Sequence, residues 1–201
     1  MVRRRDDLVF MPGKYVFPGG RVDKEDRLIA PYDDLSPDEV RRLMHEMKGY
    51  ASALRARAIA LAAVREAFEE AGLVIGEPVP MEIATWAPFY KLGFVPRLAP
   101  LRLFARAITP PGRPRRFDTR FFCVSAAEIA HREAVADGEL SGLHWMTFDE
   151  ARALDVPHIT RVVLEDLTDR MRHGPLSAGL GTVPFYHHKN GTFHRDLIPA
   201  A

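Results

Sequence analysis

The sequence predicts an α/β fold, in which helices sandwich a mixed β-sheet. Two observations carry this prediction: strand-like stretches alternate with helical ones along the chain, and one helical stretch, residues 58–75, is long and sharply bounded. A chain of 201 residues with 47% hydrophobic and 27% charged residues is large enough for a real core. We therefore expect a single domain spanning residues 1–201.

Residues 58–75 (AIALAAVREAFEEAGLVI) form an acidic helix. Glu66, Glu69 and Glu70 stand at i, i+3 and i+4, so they share one helical face. Carboxylates on one face suit a hard divalent cation, Mg²⁺ or Mn²⁺, whereas the simpler interpretation of such a run is a solvated acidic face. Arg65 immediately precedes the cluster and can hold one carboxylate, and Gly72 predicts a left-handed cap at the helix end.

A second stretch, residues 17–26 (FPGGRVDKED), completes a known pattern. Together with REAFEEAGL at residues 65–73, it resembles the signature of Nudix hydrolases, G-x5-E-x7-R-E-U-x-E-E-x-G-U, where U is a bulky apolar residue. Gly20 matches the first glycine, and Asp26 stands where the first Glu is expected. Between Asp26 and Arg65 lie 38 residues where the usual signature has seven, so the signature is split by an insert of 31 residues.

The resemblance implies a Nudix-like α/β/α sandwich with a helical insert, and an enzyme that cleaves the diphosphate linkage of a nucleoside diphosphate derivative. A split signature occurs in one Nudix branch, which cleaves coenzyme A and acyl-CoA to 3′,5′-ADP and (acyl-)phosphopantetheine. Asp26 and the segment RRFDTRFF, residues 115–122, resemble the same branch. ADP-ribose, dinucleotides and nucleoside triphosphates are alternative substrates. A catalytically inactive ligand-binding regulatory module is another alternative, although the intact REAFEEAGL argues against it.

The resemblance also implies roles for single residues. Glu66, Glu69 and Glu70 would hold the cation, while Arg65 would fix the carboxylate geometry. Glu139, in a loop before a strand expected at residues 144–146, would be a fourth ligand or the base that deprotonates water. Glu66 is the alternative base. Glu133 and Asp137 are alternative loop acids, and an exposed loop acid without a role is the simpler interpretation of each.

Substrate contacts are expected from two further segments. Gly19 and Gly20 would let the backbone approach a ligand closely, although a plain tight turn is an equal alternative. Arg115 and Arg116 suit bidentate contacts with phosphate, whereas a solvated basic loop held partly by Asp118 is the alternative. Aromatic side chains that could stack an adenine are Phe89, Tyr90 and Phe117.

The insert, at about residues 27–57, is predicted to be helical. Ser36, Pro37 and Glu39 offer an N-cap, a proline in the first turn and a capping-box glutamate for a helix that reaches about Lys48, before Gly49. A second helix then continues into the acidic stretch. This hairpin could cover the substrate, mediate a homodimer or shield an apolar face.

The remaining elements follow from local patterns. Residues 1–5 resemble the end of a first strand, and strands are also expected at residues 8–11, 15–17, 81–86 and 101–108. Thr147 and Glu150 predict a capping box for a helix through Leu154. A packing helix after Pro157 and a hairpin around residues 190–191 are expected within residues 157–198. We interpret the three tail histidines as surface residues rather than metal ligands: His187, His188 and His194.

The composition limits the kinds of partner that the protein is expected to bind. The formal net charge of +1 gives no electrostatic case for nucleic acid or a membrane surface, and no apolar stretch approaches the ~20 residues of a membrane span. Cys123 is the only cysteine, which excludes an intrachain disulfide, and its apolar surroundings indicate a buried structural thiol. We expect a cytoplasmic protein whose partner is a small nucleotide-type molecule.

Overall fold

The computed structural model describes residues 1–7, 12–79, 86–134, 140–174 and 181–200. Its helices are α1 (Pro37–Met44), α2 (Ala53–Ala71), α3 (Ala87–Tyr90), α4 (Phe148–Ala153) and α5 (His158–Arg172). Short 3₁₀ turns lie at Glu25–Arg27 and Ala126–Glu128. Its strands are β1 (Val2–Arg4), β2 (Tyr15–Val16), β3 (Leu73–Val74), β4 (Gly76–Pro78), β5 (Phe94–Pro96), β6 (Arg102–Ile108), β7 (Asp118–Cys123), β8 (His131–Arg132), β9 (Leu140–Leu143), β10 (Val183–Lys189) and β11 (Thr192–Ile198).

The central sheet is mixed. Its strand order is β11-β10-β6-β7, with β10 parallel to β6 and the other two pairs antiparallel. A three-stranded antiparallel sheet has the order β2-β1-β9, and two small pairs, β3-β8 and β4-β5, flank the end of α2. The predicted α/β class with a mixed sheet is confirmed.

Helices cover both faces of the central sheet. On one face, Leu61 of α2 packs into the same buried cluster as Leu103 of β6. On the other face, Val163 of α5 packs with Tyr186 of β10. The sheet therefore separates two apolar layers, and α2 carries the acidic stretch along one of them.

The insert is part of the core. Helix α1 begins at the predicted N-cap, where Ser36 Oγ accepts from the backbone N–H of Glu39, but it ends at Met44 rather than near Lys48. Glu39 does not act as a capping-box residue. Its carboxylate is turned inward, only 1% exposed, and accepts from Arg42 Nη1 (2.6 Å) and from the backbone N–H of Leu103 (2.9 Å). These contacts fasten α1 to β6, and Leu43 of α1 is buried in the same apolar cluster as Leu103 of β6.

Helix α2 joins the insert to the acidic stretch without a break. It begins at the N-cap Ser52, inside the predicted insert, and ends at Gly72, whose φ of 65° confirms the left-handed cap. The capping box of Thr147 and Glu150, the helix after Pro157 and the C-terminal hairpin are also confirmed. The last residues of the insert, 53–57, and the acidic face therefore belong to one continuous helix.

Some predicted strands differ. The strand predicted at residues 144–146 lies earlier in the chain, as β9. The backbone N–H of His144 still donates to Met1 O, and the chain leaves the sheet after this bond. The strand predicted at residues 8–11 lies outside the described residues, as do residues 81–85 of the one predicted at 81–86. Trp86 itself has a φ of 57° and immediately precedes α3.

No helix in the described ranges combines the length and apolar character that crossing a membrane requires.

Candidate active site

The two halves of the split signature meet through a buried ion pair. Arg65 of α2 donates from Nε to Asp26 Oδ1 (2.9 Å) and from Nη2 to Asp26 Oδ2 (3.2 Å), although the residues are 39 positions apart. Asp26 lies in the first 3₁₀ turn, is fully buried, and also accepts from the backbone N–H of Asp23. Asp26 therefore anchors the glycine segment to the acidic helix.

Arg65 also holds two carboxylates of its own helix. Its Nη1 donates to Glu66 Oε1 (2.9 Å) and to Glu69 Oε2 (2.8 Å), while Nη2 donates to the carbonyl of Arg21 (2.8 Å). Burial alone would lower the pKa of Arg65, but the hydrogen bonds and charge of Asp26, with the charges of Glu66 and Glu69, raise it above its ordinary value. Arg65 therefore stays charged and acts as the fixed centre of the site.

The glycine pair lies against the carboxylates. The backbone N–H of Gly19 donates to Glu70 Oε2 (2.7 Å). A Cβ added to Gly20 would stand only 2.2 Å from Glu66 Oε1, far inside van der Waals contact. The loop can thus approach Glu66 this closely only because residue 20 has no side chain. Here the backbone contacts the acidic face itself.

The acidic face differs in exposure from one residue to the next. The side chain of Glu66 is 13% exposed, whereas that of Glu69 is 50% exposed. Burial raises the pKa of Glu66, and the neighbouring Arg65 offsets part of that rise. Glu66 is therefore a carboxylate whose charge is costly to keep and is stabilised by the positive charge of Arg65.

The donor atoms fit a hard divalent cation in chemical type. Glu66, Glu69 and Glu70 offer carboxylate oxygens, which Mg²⁺ and Mn²⁺ prefer, and the glycine loop brings Glu66 and Glu70 to one side of the helix. Within the described residues, however, no three His, Cys, Asp or Glu side chains are grouped as a ready-made metal site. Glu66 and Glu69 are bonded to Arg65 instead, so a cation would compete with that guanidinium for them.

The segment RRFDTRFF lies beside the glycine loop. The guanidinium of Arg21 stands 5.8 Å from the ring centroid of Phe117, a cation–π contact. Arg115 and Arg116 are exposed, and Arg116 Nε donates to Thr109 O (3.1 Å). Asp118 holds neither of them, but its carboxylate lies 2.9 Å from Nη1 of Arg120 in the same segment. The structure therefore places this segment near the signature while leaving both predicted phosphate contacts at the surface.

Of the three loop acids considered as a fourth ligand or base, the structure describes only Glu133. Glu139 and Asp137 lie outside the described residues. Glu133 is exposed and its carboxylate lies 3.2 Å from His131 Nε2. Its backbone N–H donates to the carbonyl of Gly72 (2.9 Å), which puts Glu133 beside the end of α2.

The prediction that Phe89 and Tyr90 could stack an adenine was wrong, and the sequence did not reveal the partners of two buried charges, Asp26 and Arg106. Phe89 and Tyr90 are almost fully buried, so neither can present a ring face to an adenine. Asp26 was recognised by its position but not as the partner of Arg65. Arg106 was passed over as part of a strand, although a charge inside the apolar run LRLFARAI already required a buried partner.

The fold and site define an α/β enzyme in which a glycine loop closes on the carboxylates of one helix. Residues 56–167, more than half of the chain, match the family model described as NUDIX domain, and the chain belongs to that family. Its fold is similar to the crystal structure of a NUDIX hydrolase from Alicyclobacillus acidocaldarius, with a TM-score of 0.61 and 25% identity, covering 82% of this chain and 80% of that chain. The protein is a hydrolase that acts on pyrophosphate bonds of nucleoside diphosphate derivatives. Nudix hydrolases generally use divalent metals such as Mg²⁺ or Mn²⁺.

Proposed function

We propose that this hydrolase is a Mg²⁺- or Mn²⁺-dependent diphosphatase whose preferred substrate is coenzyme A or an acyl-CoA, which it cleaves to 3′,5′-ADP and (acyl-)phosphopantetheine. The observation that carries the proposal is the closure of Gly19 and Gly20 onto Glu70 and Glu66, with Arg65 behind them. This closure places Glu66 and Glu70 against one backbone loop, where a cation held by their carboxylates would neutralise a bound diphosphate.

The chain's own residues would act as follows. Glu66, Glu69 and Glu70 hold the cation, and Arg65, tied to the buried Asp26, sets the direction of the carboxylates without touching substrate. When bound, the cation would supply positive charge against the diphosphate and lower the pKa of a water molecule. Glu139, or otherwise Glu66, takes the proton of the water that attacks one phosphorus. The leaving group is a phosphomonoester, and no covalent intermediate is needed.

Support for coenzyme A comes from resemblance and from one contact. The split signature, Asp26 and RRFDTRFF resemble the branch that cleaves coenzyme A. The contact of Arg21 with Phe117 brings RRFDTRFF to the side of the glycine loop. Arg115 and Arg116 are then available at the surface for the phosphates of an extended nucleotide.

The test is chromatography of products after incubation of the protein with Mg²⁺ or Mn²⁺ and one substrate at a time. The substrates are coenzyme A, acetyl-CoA, ADP-ribose, dinucleotides and nucleoside triphosphates. Release of 3′,5′-ADP and phosphopantetheine from coenzyme A supports the proposal. Cleavage of only another diphosphate contradicts the substrate, and turnover that persists in excess chelator contradicts the metal dependence. A protein that cuts none of them but is stabilised by one against heat would favour the ligand-binding module.

A further inference from the structure

A second charged cluster lies on the central sheet, at the strand pair β6-β7. Arg106 and Arg120 stand directly opposite each other in the register of the two strands. Asp118 accepts from Arg106 Nε (2.8 Å) and Nη2 (2.9 Å), and its carboxylate also lies 2.9 Å from Arg120 Nη1. One carboxylate is therefore shared by two guanidinium groups.

A third arginine joins through the loop that follows α1. Arg106 donates to the carbonyls of His45 (2.6 Å) and Glu46 (3.1 Å). Arg55 of α2 contacts the same loop: its Nη1 donates to the carbonyls of Lys48 (3.1 Å) and Tyr50, which lie two and four residues after Glu46. We call Arg55, Arg106, Arg120 and Asp118 the arginine cluster.

Arg120 has hydrogen-bonding capacity that the described residues do not use. Its side chain is only 8% exposed, yet its Nε is buried without a partner, and only its Nη1 makes a hydrogen bond, to Asp118 O (2.8 Å). Arg55 likewise uses only Nη1 in the contacts of the described chain. Leaving a buried charged donor unsatisfied is costly, so the arrangement calls for an acceptor from outside.

The cluster also carries excess positive charge. Two guanidinium groups share one carboxylate, the charge of Arg55 also acts on Arg120, and the exposed Glu46 carboxylate lies 4.0 Å from His45 Nε2. Burial lowers the pKa of Arg120, Asp118 offsets part of this effect, and the charges of Arg106 and Arg55 add to it. Arg42 Nε is also buried without a partner, but Glu39 neutralises its charge at 2.6 Å. Unused donors and unbalanced charge therefore coincide at the arginine cluster and not at Arg42.

We propose that the arginine cluster binds a phosphate group, with Arg120 and Arg55 as its donors and the Arg106–Asp118 pair as the support that positions Arg120. Guanidinium groups bind phosphate oxygens bidentately and remain charged when partly desolvated. Arg55 lies eleven positions before Glu66 on the same helix, which is about 16 Å along its axis. Arg55 is thus set apart from the acidic face, and the proposal does not depend on coenzyme A being the substrate.

Calorimetric titration of the metal-free protein with inorganic phosphate tests the site. Arg120→Met removes the donors and keeps an apolar stem, so phosphate affinity falls by at least about tenfold. The wild-type melting temperature rises by roughly 3 to 6 °C at phosphate ten times Kd, and that rise disappears in Arg120→Met. Because the variant also removes a buried N–H donor that has no partner, its own melting temperature is unchanged or higher.

Controls separate binding from folding. Arg55→Met weakens phosphate binding without altering the sheet, which keeps the test decisive if Arg120→Met folds poorly. Arg172→Met, an exposed change of equal charge on α5, leaves the affinity unchanged. Phosphate binding that is absent in the wild type, or equal in wild type and Arg120→Met, overturns the proposal.

Two nucleotides identify the source of the phosphate. A preference for adenosine 3′,5′-bisphosphate over AMP that is lost in Arg120→Met assigns the site to a phosphomonoester of a nucleotide. If the affinity for both nucleotides is the same in the wild type and in Arg120→Met, while orthophosphate binding still depends on Arg120, the site is assigned to free phosphate. Either result supports a phosphate site at the arginine cluster.

Discussion

The surroundings of Arg65 and the arginine cluster both consist of guanidinium and carboxylate groups, but in opposite proportions. At Arg65, one guanidinium lies within 4 Å of four carboxylates, those of Asp23, Asp26, Glu66 and Glu69. At the arginine cluster, one carboxylate serves two guanidinium groups, and the charge of a third, Arg55, also acts on Arg120. The Glu39–Arg42 pair, which is balanced and buried, joins the insert to the sheet.

This difference in proportion indicates that the presence of ion pairs alone does not mark a ligand site. The sign of the charge left in excess indicates which kind of ligand a site would bind. A surplus of carboxylates favours a cation, and a surplus of guanidinium groups favours an anion. A balanced buried pair needs no ligand, since each charge has its own partner. The following experiments test this contrast, from the largest expected effect to the smallest.

Neutralising the carboxylate next to the glycine loop should abolish turnover. In Glu70→Gln, one negative charge of the surplus is removed while the acceptor for Gly19 N–H is kept. We expect metal-dependent activity to fall roughly 10³-fold or more, because losing a residue that merely supports a metal ligand already costs 10- to 100-fold. Steady-state kinetics with Mg²⁺ and Mn²⁺ measure this, and circular dichroism checks the fold. Glu165→Gln, an exposed change on α5, is the control, and parental activity in Glu70→Gln would contradict the site.

Breaking the buried pair should destabilise the fold. Asp26→Asn leaves the largely buried Arg65 without its most deeply buried charge partner, so the free energy of unfolding should fall by about 3 kcal/mol or more. Asp23→Asn removes an exposed carboxylate 3.6 Å from the same guanidinium and should change it by less than about 1 kcal/mol. Urea denaturation measures both. Equal losses in the two variants would mean that burial does not distinguish the two carboxylates.

Adding a methyl group to the glycine loop should disturb Glu66. In Gly20→Ala, the new Cβ would stand 2.2 Å from Glu66 Oε1, so the carboxylate has to move and kcat should fall about tenfold. A double-mutant cycle with Glu66→Ala tests the cause, since removal of the carboxylate removes the clash. If Gly20→Ala costs as much in the Glu66→Ala background as in the wild type, the loop acts through another residue.

The thiol of Cys123 should be unreactive in the native protein. It is partly buried with Sγ 3.5 Å from Arg102 O, and burial, with the charge of Glu39, raises its pKa to about 12. Because the pKa is higher in the folded than in the unfolded chain, the thiol's contribution to stability is complete below about pH 9 and is lost between about pH 9 and 12. A thiol reagent at pH 8 should label the protein only after denaturation. Rapid labelling of the native protein would contradict a structural thiol.

Local patterns predicted the parts of the fold that local energetics decide. The N-cap at Ser36, the capping box at Thr147 and the glycine cap at Gly72 depend on neighbouring residues and were confirmed. The inward turn of Glu39 could not be predicted, since its partner Leu103 N is 64 residues away. The end of α1 also escaped prediction, because the carbonyls at its end are satisfied by Arg106 of β6.

The candidate site likewise has features that the local sequence predicts and features that depend on distant contacts. Helical spacing placed Glu66, Glu69 and Glu70 on one face, and adjacency suggested that Arg65 holds a carboxylate, as its bonds to Glu66 and Glu69 confirm. The pairing of Asp26 with Arg65 depends on a contact that spans the insert, and the pairing of Asp118 with Arg106 depends on strand register. Periodicity contains neither kind of information, so sequence reasoning reached the helix and not the arginine cluster.

The split signature has a consequence for folding. An unsplit signature would place Asp26 and Arg65 eight positions apart, whereas here they are 39 apart. Closing the longer loop in a flexible chain costs roughly 1.4 kcal/mol more, a penalty that disappears only once α1 and the first turns of α2 are in place. The Asp26–Arg65 pair should therefore form late, after the insert has packed against β6. The contact between the glycine segment and the acidic helix would then form after the helix itself, and loosening of the insert alone would weaken that contact.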